Sequence, residues 1–412
     1  MGVNILADHA RWPSLEDAIF KISGECNEAI KKYGKDKVIN STLGTLIDDK
    51  GDLVAFDSVY DELKNMDKKD LASYGSIEGD EDFLLDVVDT CFGEYRPDGF
   101  IRSIATAGGT GAIRHSFWSL LGVGDYVICP NWYWPAYKLI CEEFQREFKT
   151  YEFLDENFEF NLEEFTKALD YALAKKDRLV CVFNSPANNP TGFSIDDDMW
   201  DRIIAVIKDR AKAGKYINIL LDVAYIEFAG DGSQKKFFEK FGSLPSNILT
   251  TVAYSMSKSY TAYGLRAGAC IIVSSKKEIA DSVFDSMKHS NRANWSNINH
   301  GAMNILTKLQ RDEKKKKTYR AELEKYRIML EKRAKAFVDG AKDVGLVSLP
   351  YFGGFFISIP CKNPKKIQEK LKEENFYIVA NKNGLRFAVC AVSEDKCRIA
   401  PKLIKEAIDK LK

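Results

Sequence analysis

Within 412 residues the sequence balances 60 lysines and arginines against 60 aspartates and glutamates, so its formal net charge of zero provides no bulk field to gather nucleic acid or an anionic membrane surface. At 45% hydrophobic residues the chain is long enough for a large globular unit and a second, smaller domain. Its nine cysteines are odd in number, lack a CxxC pair and sit in apolar runs such as Val180-Cys181-Val182, which argues against a disulfide framework or a zinc site and for reduced, intracellular usage.

In chain order, the opening Met1-Gly-Val-Asn-Ile-Leu-Ala-Asp-His has no basic segment followed by a long apolar stretch. No later run approaches ~18 uncharged apolar residues, and a cytoplasmic protein without a membrane span is expected. From about residue 50 to about 310, short β-rich runs alternate with helical stretches, the pattern of a mostly parallel sheet covered on both faces. Strands are expected at 101–105, 126–129, 179–183, 217–221, 250–254 and 269–273, with near-continuous apolarity suited to burial on both sides. A helix is expected over 198–213, where Trp200, Ile203, Ile204 and Ile207 recur at helical spacing. After residue 310 the texture changes to a charged run, Arg311 to Lys317, then a long charged helix to about Asp339 and an α+β ending. Lys314 to Lys317, flanked by acidic residues, read as a solvated helix surface. The expected fold is α/β, with a large domain at 50–310 and a small α+β domain formed by 1–49 plus 311–412.

Four segments carry candidate chemistry. Gly108-Gly109-Thr110-Gly111-Ala112 lies between a strand and a helix, where free backbone N–H groups can hold an anion, although a simple tight turn reads nearly as well. It lacks the Gly-Lys-Ser/Thr of a Walker loop and the GxGxxG spacing of dinucleotide folds. Asn184-Ser-Pro186-Ala-Asn188-Asn189-Pro190-Thr191-Gly192 follows a buried strand and presents an amide; turn chemistry alone explains its prolines and glycine. Asp222-Val-Ala-Tyr225 puts a carboxylate at the C-terminal end of a strand, where open α/β sheets bind ligands; alone it reads better as a helix cap and a core tyrosine. Ser255-Met-Ser257-Lys258 sets a lysine among hydroxyls with Arg266 eight residues on, a pattern suited to a desolvated amine beside a phosphate, or to an exposed lysine at a strand end.

Together and in this order, these segments resemble the class I aminotransferases of the fold type I pyridoxal-phosphate enzymes, most closely the aspartate and aromatic amino acid aminotransferases, over roughly residues 38 to 410. The resemblance implies that Lys258 carries pyridoxal 5'-phosphate as a Schiff base, that Asp222 keeps the pyridine nitrogen protonated, and that Tyr225 and Asn189 bond the ring oxygen. It assigns the phosphate to Gly109, Thr110, Gly111, Ser255, Ser257 and Arg266. Trp134 corresponds to the tryptophan stacked on the ring, and Tyr74 to a tyrosine that reaches the phosphate across a dimer interface. Gly44 corresponds to a loop that closes over substrate, Arg386 to the α-carboxylate fork, and Arg292 to the arginine of the other subunit that binds a distal carboxylate. This sequence departs from its relatives at Gly108, where they have serine, at Asn188, where they have histidine, and at Ile298-Asn299, where they have paired prolines.

The implied reaction is ping-pong amino transfer in a homodimer with shared sites, from an L-amino acid to 2-oxoglutarate, with no metal. Aspartate is the favoured donor. The alternatives are an aromatic donor, with Trp132, Tyr133 and Trp134 lining an apolar pocket, and a lyase or decarboxylase on the same frame. A DNA-binding regulator of this fold needs a basic N-terminal domain, and no basic helix-turn-helix pattern stands before Gly44.

Overall fold

Two sheets organise the chain, and their strand order decides where a ligand can sit. The computed structural model describes residues 5–14 and 18–411; the opening tetrapeptide, read above for a leader segment, lies outside the described residues. The large sheet has seven strands in the order β2-β8-β7-β6-β5-β3-β4. They are β2 Phe100–Thr106, β3 Tyr126–Pro130, β4 Glu147–Tyr151, β5 Arg178–Phe183, β6 Tyr216–Asp222, β7 Ile248–Ser255 and β8 Gly268–Ser274. β7, β6, β5, β3 and β4 pair in parallel, and β8 alone runs against its neighbours β2 and β7. Every strand expected here is present, and β7 and β8 are buried along their whole length, as apolar runs between two helical layers must be. β4 is absent from the expected set. As an edge strand it is only half-buried, and Glu147 and Lys149 break the apolar signal.

The helix expected at 198–213 spans Asp197–Ala211. Asp196 caps its start by accepting from the Met199 amide at 2.8 Å, and Gly214, at φ +76°, turns the chain away after its end. The long charged helix runs Glu313–Asp343, capped by Asp312, which accepts from the amides of Lys314 and Lys315. Lys314 and Lys317 are exposed, and Lys315 pairs with Glu62.

A second sheet of four strands has the order β1-β10-β11-β9, with β1 Ile39–Ser41, β9 Phe356–Pro360, β10 Phe376–Ala380 and β11 Gly384–Ala388. β1 lies parallel to β10 through Ile39 beside Phe376, so residues near the N-terminus close the sheet built by the C-terminal part. Arg333 fixes this union from the long helix: its guanidinium donates to the carbonyls of Ile47 and Cys390 and pairs with Asp49 at 2.6 Å. One apolar core runs from the large sheet through Phe56 and Tyr319 to Phe376 and Phe387. Among the described residues, no helix is long and apolar enough to cross a membrane.

Candidate active site

β2, β3, β5, β6 and β7 point the same way, so the residues that follow them converge at one edge of the sheet, the edge at which open α/β folds bind ligands. β2 delivers Gly109 and Thr110; β3 leads to Trp134, β5 to Asn184 and Asn189, β6 ends on Asp222, and β7 ends on Ser255 with Lys258 three residues on. These residues, with Gly44, Tyr225, Ser257, Arg266, Phe356 and Arg386, line a cavity of about 400 Å³.

One group of contacts forms an anion cradle. The helix Gly108–Leu120 starts at the cavity, and its unsatisfied first amides and positive dipole end face inward at Gly109 and Thr110. Arg266 Nη1 donates to Ser257 Oγ at 3.2 Å, and Ser255 Oγ accepts from the Ser257 amide. Gly108 adopts φ +67°, and a Cβ there would stand 2.8 Å from Arg266 Nη2, so the bare glycine leaves room for the guanidinium against the turn.

A second group surrounds Asp222, which is buried. Tyr137 donates its hydroxyl to Oδ2 at 2.5 Å and the Ala224 amide reaches Oδ1 at 3.2 Å. Asn184 Nδ2 donates to the Asp222 carbonyl at 2.8 Å, and its Oδ1 takes the Asn189 amide at 2.7 Å, tying the β5 loop to β6. Burial raises the Asp222 carboxyl above its usual range, opposed by the Tyr137 and Ala224 hydrogen bonds and by the nearby Lys258 charge.

The third group centres on Lys258. Nζ donates to the Gly44 carbonyl at 3.3 Å and lies 4.9 Å from the Tyr263 ring and 5.8 Å from the Tyr225 ring. Burial pushes its pKa down to about 8; Arg266 and Arg386 add to that effect, while Cys390 and Asp222 oppose it. Arg386 is buried on β11, with Nη2 donating to the Thr42 carbonyl at 2.7 Å and the guanidinium 4.3 Å above the Phe356 ring. A Cβ on Gly44 would meet that ring at 2.6 Å.

Three expected site residues lie elsewhere. Gly111 does not line the cavity, and a Cβ there would press on Thr106 at 3.0 Å and Trp295 at 3.2 Å, so its small size seats the helix. Tyr74 is 88% exposed, and Arg292, near the end of the helix Lys277–Asn294, is exposed and donates to Ser296 Oγ at 3.2 Å; neither lines the cavity of its own chain. Of the three aromatics considered for an apolar pocket, only Trp134 lines it, because Trp132 packs into the core and Tyr133 turns to Phe148, 5.0 Å away. Sequence reasoning missed Asn184, Tyr137, Tyr263, Phe356, Ile19 and Phe20, which form the cavity wall or stand directly behind it. Only Tyr137 left a signal, lying one helical turn beyond Trp134.

Residues 36–404 match the family described as aminotransferase class I and II. The chain belongs to this family. An aspartate aminotransferase of Salmonella typhi is 28% identical over 316 residues, covering 74% of this chain and 77% of that protein. A tyrosine aminotransferase of Klebsiella pneumoniae is 24% identical over 324 residues, covering 77% and 80%. The crystal structure of an aminotransferase from Anaerococcus prevotii, 47% identical, superposes with a TM-score of 0.96 over the whole of both chains. An aromatic-amino-acid aminotransferase from Burkholderia pseudomallei, covalently bound to pyridoxal phosphate, shares the fold at 21% identity and a TM-score of 0.80, covering 97% of this chain and 98% of that one.

This aminotransferase is therefore a pyridoxal-phosphate enzyme of the mostly parallel α/β fold its relatives share. Its cavity fits the cofactor on its own chemistry. An anion cradle, a buried carboxylate and an amine whose charge is disfavoured line one space, the set of groups that a phosphate, a pyridine nitrogen and an aldehyde call for.

Proposed function

We propose that the aminotransferase moves the amino group of an L-amino acid, aspartate by preference, to 2-oxoglutarate in a ping-pong cycle, as a cytoplasmic homodimer whose subunits complete each other's sites. The observation that carries the reading is the meeting of Lys258, Asp222 and Arg386 around one cavity whose other end is an anion cradle. Pyridoxal phosphate, when bound, supplies an aldehyde that condenses with amines and a ring that takes up the charge released when a Cα–H bond breaks.

The chain's residues divide the remaining work. Gly109, Thr110, Ser255, Ser257 and Arg266 would hold the phosphate, with Tyr74 of a second copy reaching it from outside. Asp222 would sit at the pyridine nitrogen, Asn189 and Tyr225 at the ring oxygen, and Trp134 against the ring face. Arg386 orients the α-carboxylate of both substrates, fixing the Cα–H bond relative to the ring plane. Lys258, with its amine free once substrate is bound, would take the proton from Cα, and the burial that disfavours its charge suits it to act as a base. In the second half of the cycle the oxo acid meets the same residues in reverse.

Arg292 supports a dicarboxylic substrate: its guanidinium is exposed and bonds a neutral hydroxyl, Ser296 Oγ, at 3.2 Å. A second copy that contributes it would set a guanidinium at the far end of the substrate. The aromatic alternative has its own support, because Ile19, Phe20, Ile113 and Leu139 also line the cavity. Steady-state kcat/KM with aspartate, tyrosine and phenylalanine, 2-oxoglutarate as acceptor, separates the two. Aspartate should lead by at least ~10-fold, the worth of one added charged contact; an aspartate value far below the aromatic ones overturns the preference.

A further inference from the structure

Asp222 is held by a phenol. Among the described residues no histidine lines the cavity, although the chain has four, and the residue in hydrogen-bond contact with the Asp222 side chain from outside its own loop is Tyr137. Tyr137 lies on the first turn of the helix Ala136–Glu143, is 1% exposed, and its amide bonds the Trp134 carbonyl at 3.1 Å. Its ring packs edge-on against Trp134, with centroids 5.5 Å apart, so one turn supplies both the indole on the cavity wall and the hydroxyl behind the carboxylate.

We infer that Tyr137 is the positioning residue that keeps the Asp222 carboxylate ionised and aimed into the cavity, through its 2.5 Å hydroxyl hydrogen bond to Oδ2. The inference rests on the reading that Asp222 faces the pyridine nitrogen. A carboxylate this deep is costly to charge, and a donor that cannot itself lose its proton lowers that cost at every working pH. Tyr137 is such a donor, since burial and the Asp222 charge drive its own ionisation far upward. The other titratable groups around Asp222 are Cys129 on β3, Tyr225 on the following loop and Lys258 beyond β7; burial raises Cys129 and Tyr225 as well, which leaves Lys258 as the group near Asp222 that titrates in the working range. Without the hydroxyl, Asp222 binds its proton more tightly, and the proton shared with the ring nitrogen shifts toward the carboxylate.

The test uses holoenzyme loaded with pyridoxal phosphate labelled with 15N in the ring, following by NMR the pH at which the nitrogen loses its proton. In Tyr137→Phe, which keeps the ring and its packing, that midpoint should fall by about one unit. kcat should drop ~10- to 100-fold, the worth of a hydrogen bond to a charged group, with KM nearly unchanged. A midpoint equal to that of the unsubstituted enzyme overturns the inference, whatever happens to thermal stability. If Tyr137→Phe does not fold, 3-fluorotyrosine at position 137 keeps the shape and strengthens the donor; the midpoint should then rise, and an unmoved midpoint overturns the inference. Asp222→Ala separates the two levels: full turnover in it sinks the reading of Asp222 itself, whereas an inactive Asp222→Ala beside an unmoved Tyr137→Phe midpoint sinks the role of Tyr137 alone.

Discussion

Replacing Lys258 by alanine is expected to slow amino transfer by at least ~10⁴-fold while leaving pyridoxal phosphate bound, because under the proposed mechanism the variant loses both a positioned acid–base group and the covalent anchor. No neighbour can take over the proton. The hydroxyls of Tyr225 and Tyr263 are driven upward by burial, and the Cys390 thiol, which donates to the Leu43 carbonyl, is pushed up to about 12. The phosphate cradle and Asp222 are untouched by the change, so cofactor retained through gel filtration should approach one per chain. Single-turnover rates with aspartate and with tyrosine provide the check. Retention of more than a few per cent of the original rate would remove Lys258 from the mechanism.

Arg386→Lys should lower kcat/KM for every amino acid by about 10²-fold, the scale on which misaligned or truncated buried charge contacts cost. The guanidinium is held on two sides, by the Thr42 carbonyl and the Phe356 face, so its fork is oriented before substrate arrives. A lysine keeps the charge but neither the fork nor the stacking plane, and it brings a flexible stem into a site built for a flat group. Because all donors share an α-carboxylate, aspartate, tyrosine and phenylalanine should lose alike, with cofactor affinity unchanged. A loss confined to aspartate would mean that Arg386 binds the distal carboxylate, and the two ends of the site would have to be exchanged.

Much of this was legible in the sequence because the chemistry lies where strands end. The buried strands β5, β6, β7 and β8 read as apolar runs, and Asn189, Asp222, Ser255, Ser257 and Lys258 follow three of them within a few residues. What periodicity cannot carry is direction: nothing in the run 269–273 says that β8 lies antiparallel to β7. The edge strand β4 was hidden by its half-polar face, and the small sheet by the distance between β1 and β10, more than 300 residues apart in sequence. In the site, nothing in the string separates Gly109 from Gly111, since two residues of helix turn the chain from the cavity to Trp295. Trp132, Tyr133 and Trp134 look alike as a string, yet only Trp134 lines the cavity. Tyr137 and Asn184 were missed because a tyrosine on a helix and an asparagine in a turn are ordinary residues until their contacts with Asp222 are seen.

The most direct test of amino transfer through this cavity is a half-reaction. Cofactor-loaded protein is mixed with aspartate in the absence of any oxo acid, and the near-visible absorption of the bound cofactor is followed together with the products released. The expected result is complete conversion to the aminated cofactor with one oxaloacetate per chain, and no ammonia or carbon dioxide. An unchanged spectrum with aspartate, tyrosine and phenylalanine alike, or release of ammonia or carbon dioxide while the cofactor keeps its original absorption, would contradict it.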